Sequence, residues 1–468
     1  MSGVDDLHDL PAVQLLALFA SRELSPLEYY EHLLAHIERW EPHLHALYAF
    51  DPQRVRDQAS AASERWSRGR PQGLLDGLPV TLKELIASEG DCIPLGCAAT
   101  ELTPALVDAP PTARMRESGA IVLGKTTVPD YGMLSSGLSS FHGVTRNPWN
   151  LENNPGGSSA GAAAAAAAGY GPLHVGTDIG GSVRLPAAWC ALVGFKPTFG
   201  RIPIDPYYTG RCAGPMTRNM DDCALLMRYL ARPDARDATS LPPEAGDWGL
   251  GRPEIRGLRV GLMLDPGCGL QPDEQTLAAV REAARFFEQN GARLLEIKPL
   301  MDRTLLQGLD DFWRARQWSQ LRGLTPEKYE QVLPYIRHWA APAERMSAVQ
   351  AVDGFNRTFE IRQRAADVWR GCDLVLSPTN QVSAFPATWA SPTNDPARPF
   401  DHIVFTVPWN FGEQPALSIN CGFTNQGMPI GLQMIGPRFT DQWLLQVGKA
   451  YESWRGAIPC WPTPSPPR

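Results

Sequence analysis

Apolar residues recur along this chain at two different spacings, and each spacing predicts a different element. Leu33, Leu34, Ile37 and Trp40 fall at helical intervals. Ahead of them, Ser25-Pro26-Leu27-Glu28 has the composition of a capping box, with a serine cap, a proline at the first helical position and a glutamate that reaches back. A second helix is predicted over residues 52–67, closed by a glycine turn at 69–73. From residue 78 the pattern changes. Short unbroken apolar runs at 78–82 and 120–124 read as buried strands, the alanine run 161–168 as a buried helix, and 173–176 as a short strand. Residues 259–264, 273–289 and 293–297 read as strand, helix and strand, with Leu277, Val280, Ala284 and Phe287 on one side of the helix. Such a βαβ unit implies parallel neighbours joined by a right-handed crossover. Residues 301–370 are mainly helical in pattern, 374–376 is a strand and 380–401 a proline-rich loop. Strands at 416–419 and 430–435 precede a closing helix near 443–454. No repeat or low-complexity linker divides this succession, so the expected fold class is α/β in one large domain spanning 1–468.

Composition narrows the class. Hydrophobic residues at 43% and charged residues at 20% are the balance of a soluble globular protein. A formal charge of −7, with no lysine/arginine run, argues against nucleic acid as a partner. No stretch reaches the length of a membrane span, and Asp5, Asp6 and Asp9 precede the apolar residues 12–20 where a secretory signal carries positive charge. The nine cysteines are scattered, and Cys92 and Cys97 have no matching second pair, so no metal site is expected. Reduced, buried thiols in a cytoplasmic protein are the expectation.

Chemistry gathers around two glycine-flanked serines on either side of the alanine helix, Ser158 in Gly156-Gly157-Ser158-Ser159-Ala160-Gly161 and Ser182 in Asp178-Ile179-Gly180-Gly181-Ser182-Val183-Arg184. Consecutive glycines let several N–H groups point into one concavity, where an oxyanion can form beside the serine hydroxyl. Alone, Gly-Gly-Ser is more often a tight turn. Gly157-Ser158-Ser159-Ala160-Gly161 matches G-x-S-x-G in letters, but the polar residues 150–155 replace the strand that a nucleophile elbow needs. No Gly-Lys-Ser/Thr follows, which excludes a phosphate loop. Lys83 ends the apolar run 78–82. As a base it must be neutral, and a free lysine titrates near 10.4, so its surroundings must remove about 4.6 kcal/mol of preference for charge.

Together these segments resemble the amidase signature family, whose reacting groups are a serine nucleophile, a bridging serine and a lysine. Gly77-Leu78-Pro79-Val80-Thr81-Leu82-Lys83-Glu84 is similar to its lysine motif. The stretch from Pro155 to Ala187 is similar to the signature itself. Gly194-Phe195-Lys196-Pro197-Thr198, Gly214-Pro215-Met216-Thr217-Arg218, Pro415-Ala416-Leu417-Ser418 and Gly431-Leu432-Gln433-Met434-Ile435-Gly436 follow in the family's order. Ala160 and Glu84 stand where the family usually has Gly and Asp, changes small enough that catalysis is not expected to be lost.

The resemblance implies a central, mixed, twisted β-sheet covered by helices on both faces. Within it, 1–70 forms N-terminal helices, 71–230 the signature core, 301–370 a helical insertion on the substrate side and 371–468 the C-terminal part of the core. It also implies a Ser182 nucleophile, Ser158 (after a cis peptide bond) as relay and Lys83 as base. The amides of Ile179, Gly180, Gly181 and Ser182 form the oxyanion hole, and Gly157, Ser159, Asp178 and Arg184 support them. No cofactor or metal is implied. The least family-like segments, 129–142, 204–211 and 381–414, face the substrate, and Tyr131, Met133, Leu134, Tyr207, Trp409 and Phe411 are the candidate pocket residues. Such a rim suits a hydrophobic or aryl amide, with reach to esters and carbamates. Two rivals stand beside this reading, the glutaminase subunit of a tRNA-dependent amidotransferase and a non-catalytic binding protein of the same fold. The aromatic content of 301–370 favours a stand-alone amidase, with a small-molecule amide as partner, no membrane, and a homodimer among the assemblies it admits.

Overall fold

Thirteen strands form among the described residues (4–458 and 460–463) of the computed structural model. They are β1 (Leu47–Tyr48), β2 (Pro79–Lys83), β3 (Ile121–Thr126), β4 (Leu138–Ser139), β5 (Gly143–Val144), β6 (Leu173–Asp178), β7 (Val193–Lys196), β8 (Cys212–Thr217), β9 (Arg259–Leu262), β10 (Arg293–Glu296), β11 (Leu374–Pro378), β12 (Ala416–Phe423) and β13 (Pro429–Ile435). Eleven make one mixed sheet in the order β1-β3-β2-β6-β8-β7-β12-β13-β11-β9-β10, and β4 and β5 pair separately. Parallel pairing joins β3 to β2 and β2 to β6 on one side, and β11 to β9 and β9 to β10 on the other; the centre is antiparallel. The expected βαβ unit is present as β9, helix Glu274–Gln289 and β10, with Arg293 paired to Arg259.

Alternation along the strands divides the two faces. Val80, Leu82, Leu173, Val175, Leu417, Ile419, Leu432 and Met434 enter one large apolar cluster. Helices Pro26–Leu44, Met220–Leu230, Glu274–Gln289 and Asp441–Arg455 complete that cluster with their own apolar stripes. The intervening positions, among them Thr81, Lys83, His174, Asp178 and Gln433, look the other way and are also buried. Helix Ala160–Ala168 covers part of that side, packing Ala162, Ala163, Ala166 and Ala167 against Val183, Ala187 and Met216. Methyl side chains and Gly161 allow unusually close approach. A Cβ on Gly161 would lie 2.3 Å from the Ala46 carbonyl.

Local signals account for several elements. Ser25 Oγ accepts from Glu28 N at 3.2 Å while Glu28 Oε2 accepts from Ser25 N at 2.8 Å, the full capping box. The helical stretch 301–370 breaks into Arg303–Leu321, Pro326–Gln331, Pro334–Ala340 and Ala348–Asp367, because Pro326 and Pro334 each start a new helix and cannot continue the old one. Helices Pro110–Glu117, Arg184–Trp189, Met220–Leu230 and Pro408–Phe411 are unforeseen, as are β7 and β8. β8 reads Cys-Ala-Gly-Pro-Met-Thr, whose glycine and proline hide a central strand.

Candidate active site

Parallel pairing of β2 with β6 brings Lys83, the last residue of β2, beside the end of β6. Its Nζ lies 2.8 Å from Ser158 Oγ and 3.3 Å from the Thr177 carbonyl, in a fully buried position with no carboxylate in contact. Burial holds this amine well below the usual lysine range, and the positive charge of Arg211 pushes it the same way, against Asp178 and Glu84. Ser158 follows a cis peptide bond from Gly157. The turn before it is pinned by Asn154, whose Oδ1 accepts from Gly156 N at 2.9 Å and Gly137 N at 3.0 Å. Gly157 has no room for a side chain: a Cβ would fall 2.5 Å from Ser136 N. Ser159 stands at the start of the alanine helix, and its hydroxyl donates to the Thr177 carbonyl at 3.2 Å. Its amide donates to the Ser182 carbonyl at 3.3 Å, tying the two serine loops together. Ser158 and Ser182 both line one cavity of about 300 Å³, with Thr177 and Ile179.

Asp178 and Arg184 hold the glycine loop that carries Ser182. Asp178 accepts from the amides of Gly181 (2.8 Å) and Val183 (3.1 Å) and from Arg184 Nε and Nη2 at 2.9 Å. Burial would raise this carboxyl, but Arg184 and Asn410 hold it well below the ordinary carboxylate range. Arg184 goes on to Gln433 Oε1 and Asn410 Oδ1, both at 2.6 Å, so β6, β13 and the 408–411 turn are locked through one guanidinium. One expectation is corrected here. The Gly181 N–H, assigned to the oxyanion hole from the sequence, is committed to Asp178, whereas the amides of Ile179, Gly180 and Ser182 have no acceptor among the described residues. Gly181 instead supplies a φ of +125°.

The pocket residues divide. Tyr131 and Met133 line the cavity with the two serines, and Met133 and Leu134 line an adjoining apolar lobe with Trp313, Phe400 and Ile403. Tyr207 is 51% exposed and outside both lobes. Trp409 is fully buried against Trp369, and Phe411 packs in the core behind Trp313, so neither lines the space beside Ser182. All four residues of the short helix Pro408–Phe411 are buried, so both rings sit in the interior whichever side of it they leave from. The walls that sequence reasoning missed are Trp313, Arg316 and Gln317 from helix Arg303–Leu321, together with Arg211, Phe400 and Ile403. Arg211, Phe400 and Ile403 do lie in the segments that depart most from the family pattern, which was the available signal. Behind Lys83, Glu84 accepts from Gly96 N at 3.0 Å and contacts His142 Nε2. Among the described residues no group of three or more His, Cys, Asp or Glu could hold a metal ion, and no helix is long and apolar enough to cross a membrane.

The Amidase family model matches residues 28–445. The chain is 34% identical to a glutamyl-tRNA(Gln) amidotransferase subunit of Roseiflexus castenholzii, over 97% of this chain and 98% of that protein. It is 32% identical to an acylamidase of Rhodococcus erythropolis, over 96% of each. Among solved structures, a bacterial aryl acylamidase of the amidase signature family superposes with a TM-score of 0.86 at 27% identity, covering 95% of this chain and 96% of that one. A 6-aminohexanoate cyclic dimer hydrolase bound to its substrate also gives 0.86 at 27% identity, covering 98% and 99%. With its fold and most of its length in common with these enzymes, the chain belongs to the amidase signature family of amide hydrolases.

Proposed function

We propose that this protein hydrolyses the C–N bond of a carboxylic amide through an acyl-enzyme on Ser182, with Ser158 as relay and Lys83 as base. The observation that carries the reading is Lys83 Nζ, buried without a carboxylate in contact at 2.8 Å from Ser158 Oγ. A neutral amine at that distance can take the Ser158 proton while Ser158 takes the proton of Ser182. Ser182 Oγ then bonds to the carbonyl carbon, and the oxygen's new charge rests on the amides of Ile179, Gly180 and Ser182. The proton returns by the same route to the departing nitrogen as the C–N bond breaks. Water repeats the sequence on the acyl ester and releases the acid. Ester and carbamate substrates would enter by the same attack, since each presents a carbonyl carbon with a leaving group.

The apolar side chains Met133, Leu134, Trp313, Phe400 and Ile403, around a recess of about 30 Å³ beside the larger cavity, support a hydrophobic group on the substrate, and helix Arg303–Leu321 supports a substrate-side role for 301–370. The 34% identity to an amidotransferase component favours the rival reading of a glutaminase. Free glutamine carries an α-ammonium as well as an α-carboxylate, and the residues lining the two lobes include no Asp or Glu to receive it. A stand-alone amidase fits these walls better. The test is a panel of anilides, fatty amides, aryl carbamates and free glutamine, with fluorophosphonate labelling alongside. Anilide turnover, one adduct on Ser182, and loss of about 10³-fold or more in kcat on Lys83→Ala are expected. Turnover that survives Lys83→Ala would overturn the mechanism, and a preference for glutamine would overturn the substrate reading.

A further inference from the structure

Two guanidiniums stand on the wall of this cavity without a carboxylate bonded to either. Arg211 donates to the carbonyls of Pro206 at 2.9 Å and Leu85 at 3.4 Å, which orient it but neutralise nothing. Arg316 lies with Cζ 3.9 Å over the Tyr208 ring, so one face is stacked while its N–H groups have no acceptor among the described residues. Both line the cavity that holds Ser158 and Ser182. Burial and the neighbouring charge of Arg316 outweigh Asp205 and push Arg211 down to about 10, as expected for two cations facing a shared space. The third observation is independent of charge. Gln317, also on the wall, is 2% exposed, and its Nε2 has no acceptor among the described residues. Buried donors are rarely left unpaired, and here every unpartnered group points to a missing acceptor.

We infer that the substrate carries a carboxylate-type anion beside its scissile amide, and that Arg316, Arg211 and Gln317 bind it. This rests on the hydrolase reading above and deepens it. Planar guanidiniums suit a carboxylate through paired N–H···O bonds, and a partly enclosed cavity strengthens such bonds relative to water. Because no acidic side chain lines either lobe, the substrate is an anion and not a zwitterion. Arg316 borders both lobes, and the apolar side chains Met133, Leu134, Trp313, Phe400 and Ile403 take the other side of the molecule. The class is therefore an amide with an aryl or alkyl group on one side and a carboxylate on the other.

Matched pairs test this. Succinanilate is compared with butyranilide, which places the charge on the acyl side, and 4-acetamidobenzoate with acetanilide, which places it on the amine side. The native protein should prefer the anionic member of one pair by about tenfold or more in kcat/KM, chiefly through KM. Arg316→Gln should reduce that preference to about twofold or less, and Arg316→Lys should retain part of it. Equal kcat/KM within both pairs, or a loss in Arg316→Gln that is the same for charged and neutral members, would overturn the assignment. A binding measurement separates this failure from failure of the hydrolase reading. In the Ser182→Ala protein, the anionic member of at least one pair should raise the unfolding midpoint more than its neutral partner, and adding Arg316→Gln should abolish the difference. No difference in either pair removes the anion site; a clear difference without turnover by the native protein removes only the hydrolase.

Discussion

Lys83 shows how much of one residue's chemistry is local and how much is borrowed. Its place at the end of an apolar run was readable, since Val80 and Leu82 had to be buried and the lysine follows them. Its charge state was not. That depends on Arg211, far along the chain, which adds to the effect of burial. The sign of the consequence follows directly. A nearby cation disfavours protonated Lys83, so removing it lets the lysine hold its proton to higher pH. Arg211→Gln should therefore move the acid limb of the pH–kcat profile to higher pH, as measured with a neutral anilide under saturation. A profile that stays in place, or moves to lower pH, would show that Lys83 does not control that limb. Trp409 and Phe411 illustrate the converse. Their residue types suit a pocket, but the 408–411 turn is buried at all four residues, which puts both in the core.

At the scale of elements, the chain is most legible where a terminus carries its own cap. Helix Pro26–Leu44 could be read from Ser25 and Glu28, and helix Glu274–Gln289 from the run that follows Asp273, whose side chain accepts from Thr276 N at 2.7 Å. Ser25→Ala should cost about 1 kcal/mol of stability by urea denaturation, with no change in kcat. Helix Ala12–Ser21 has no such cap. Its first amide is satisfied by Asp222 Oδ1 at 2.9 Å, and no sequence window contains both partners. The loop between β6 and helix Arg184–Trp189 is the element on which the proposed reaction depends. Gly181 is left-handed there, and a Cβ would lie 2.6 Å from Thr406 Oγ1 and 2.8 Å from Leu185. Gly181→Ala should cost about 1–3 kcal/mol in stability and lower kcat more than it raises KM, because the neighbouring amides move with it. Stability loss with unchanged kcat would mean that the hole does not need this loop's shape.

For the whole molecule, buried titratable groups set how stability responds to pH. Glu41 is raised to about 7, chiefly by burial, although Leu47 N donates to its Oε1 at 2.7 Å. Burial likewise raises Asp222 to about 7. Each keeps its proton in the folded protein after the unfolded chain has released it, so the stability each contributes is present below about pH 4 and is lost as pH rises toward 7. Asp178 has the opposite sign: its contribution is present above the ordinary carboxylate range and fades as pH falls below it. Glu41→Gln keeps an acceptor for Leu47 and removes the titration. It should raise the thermal midpoint at pH 8 and change it little at pH 4.5, and an equal change at both would sink the assignment. Most of the sheet, and the motifs that carry the family resemblance, were open to reading from the chain because they depend on short runs: a cap, an alternation, two glycines and a serine. The cavity wall was open only in part, through Tyr131, Met133 and Leu134. Arg211, Trp313, Arg316, Gln317, Phe400 and Ile403 come from segments far apart in the chain and meet only when helix Arg303–Leu321 packs against residues 400–403 beside the Gly180 loop. The shape of the substrate space, and the downward shift of Lys83, follow from tertiary structure, since burial and the sum of nearby charges belong to a point in space and not to any stretch of sequence.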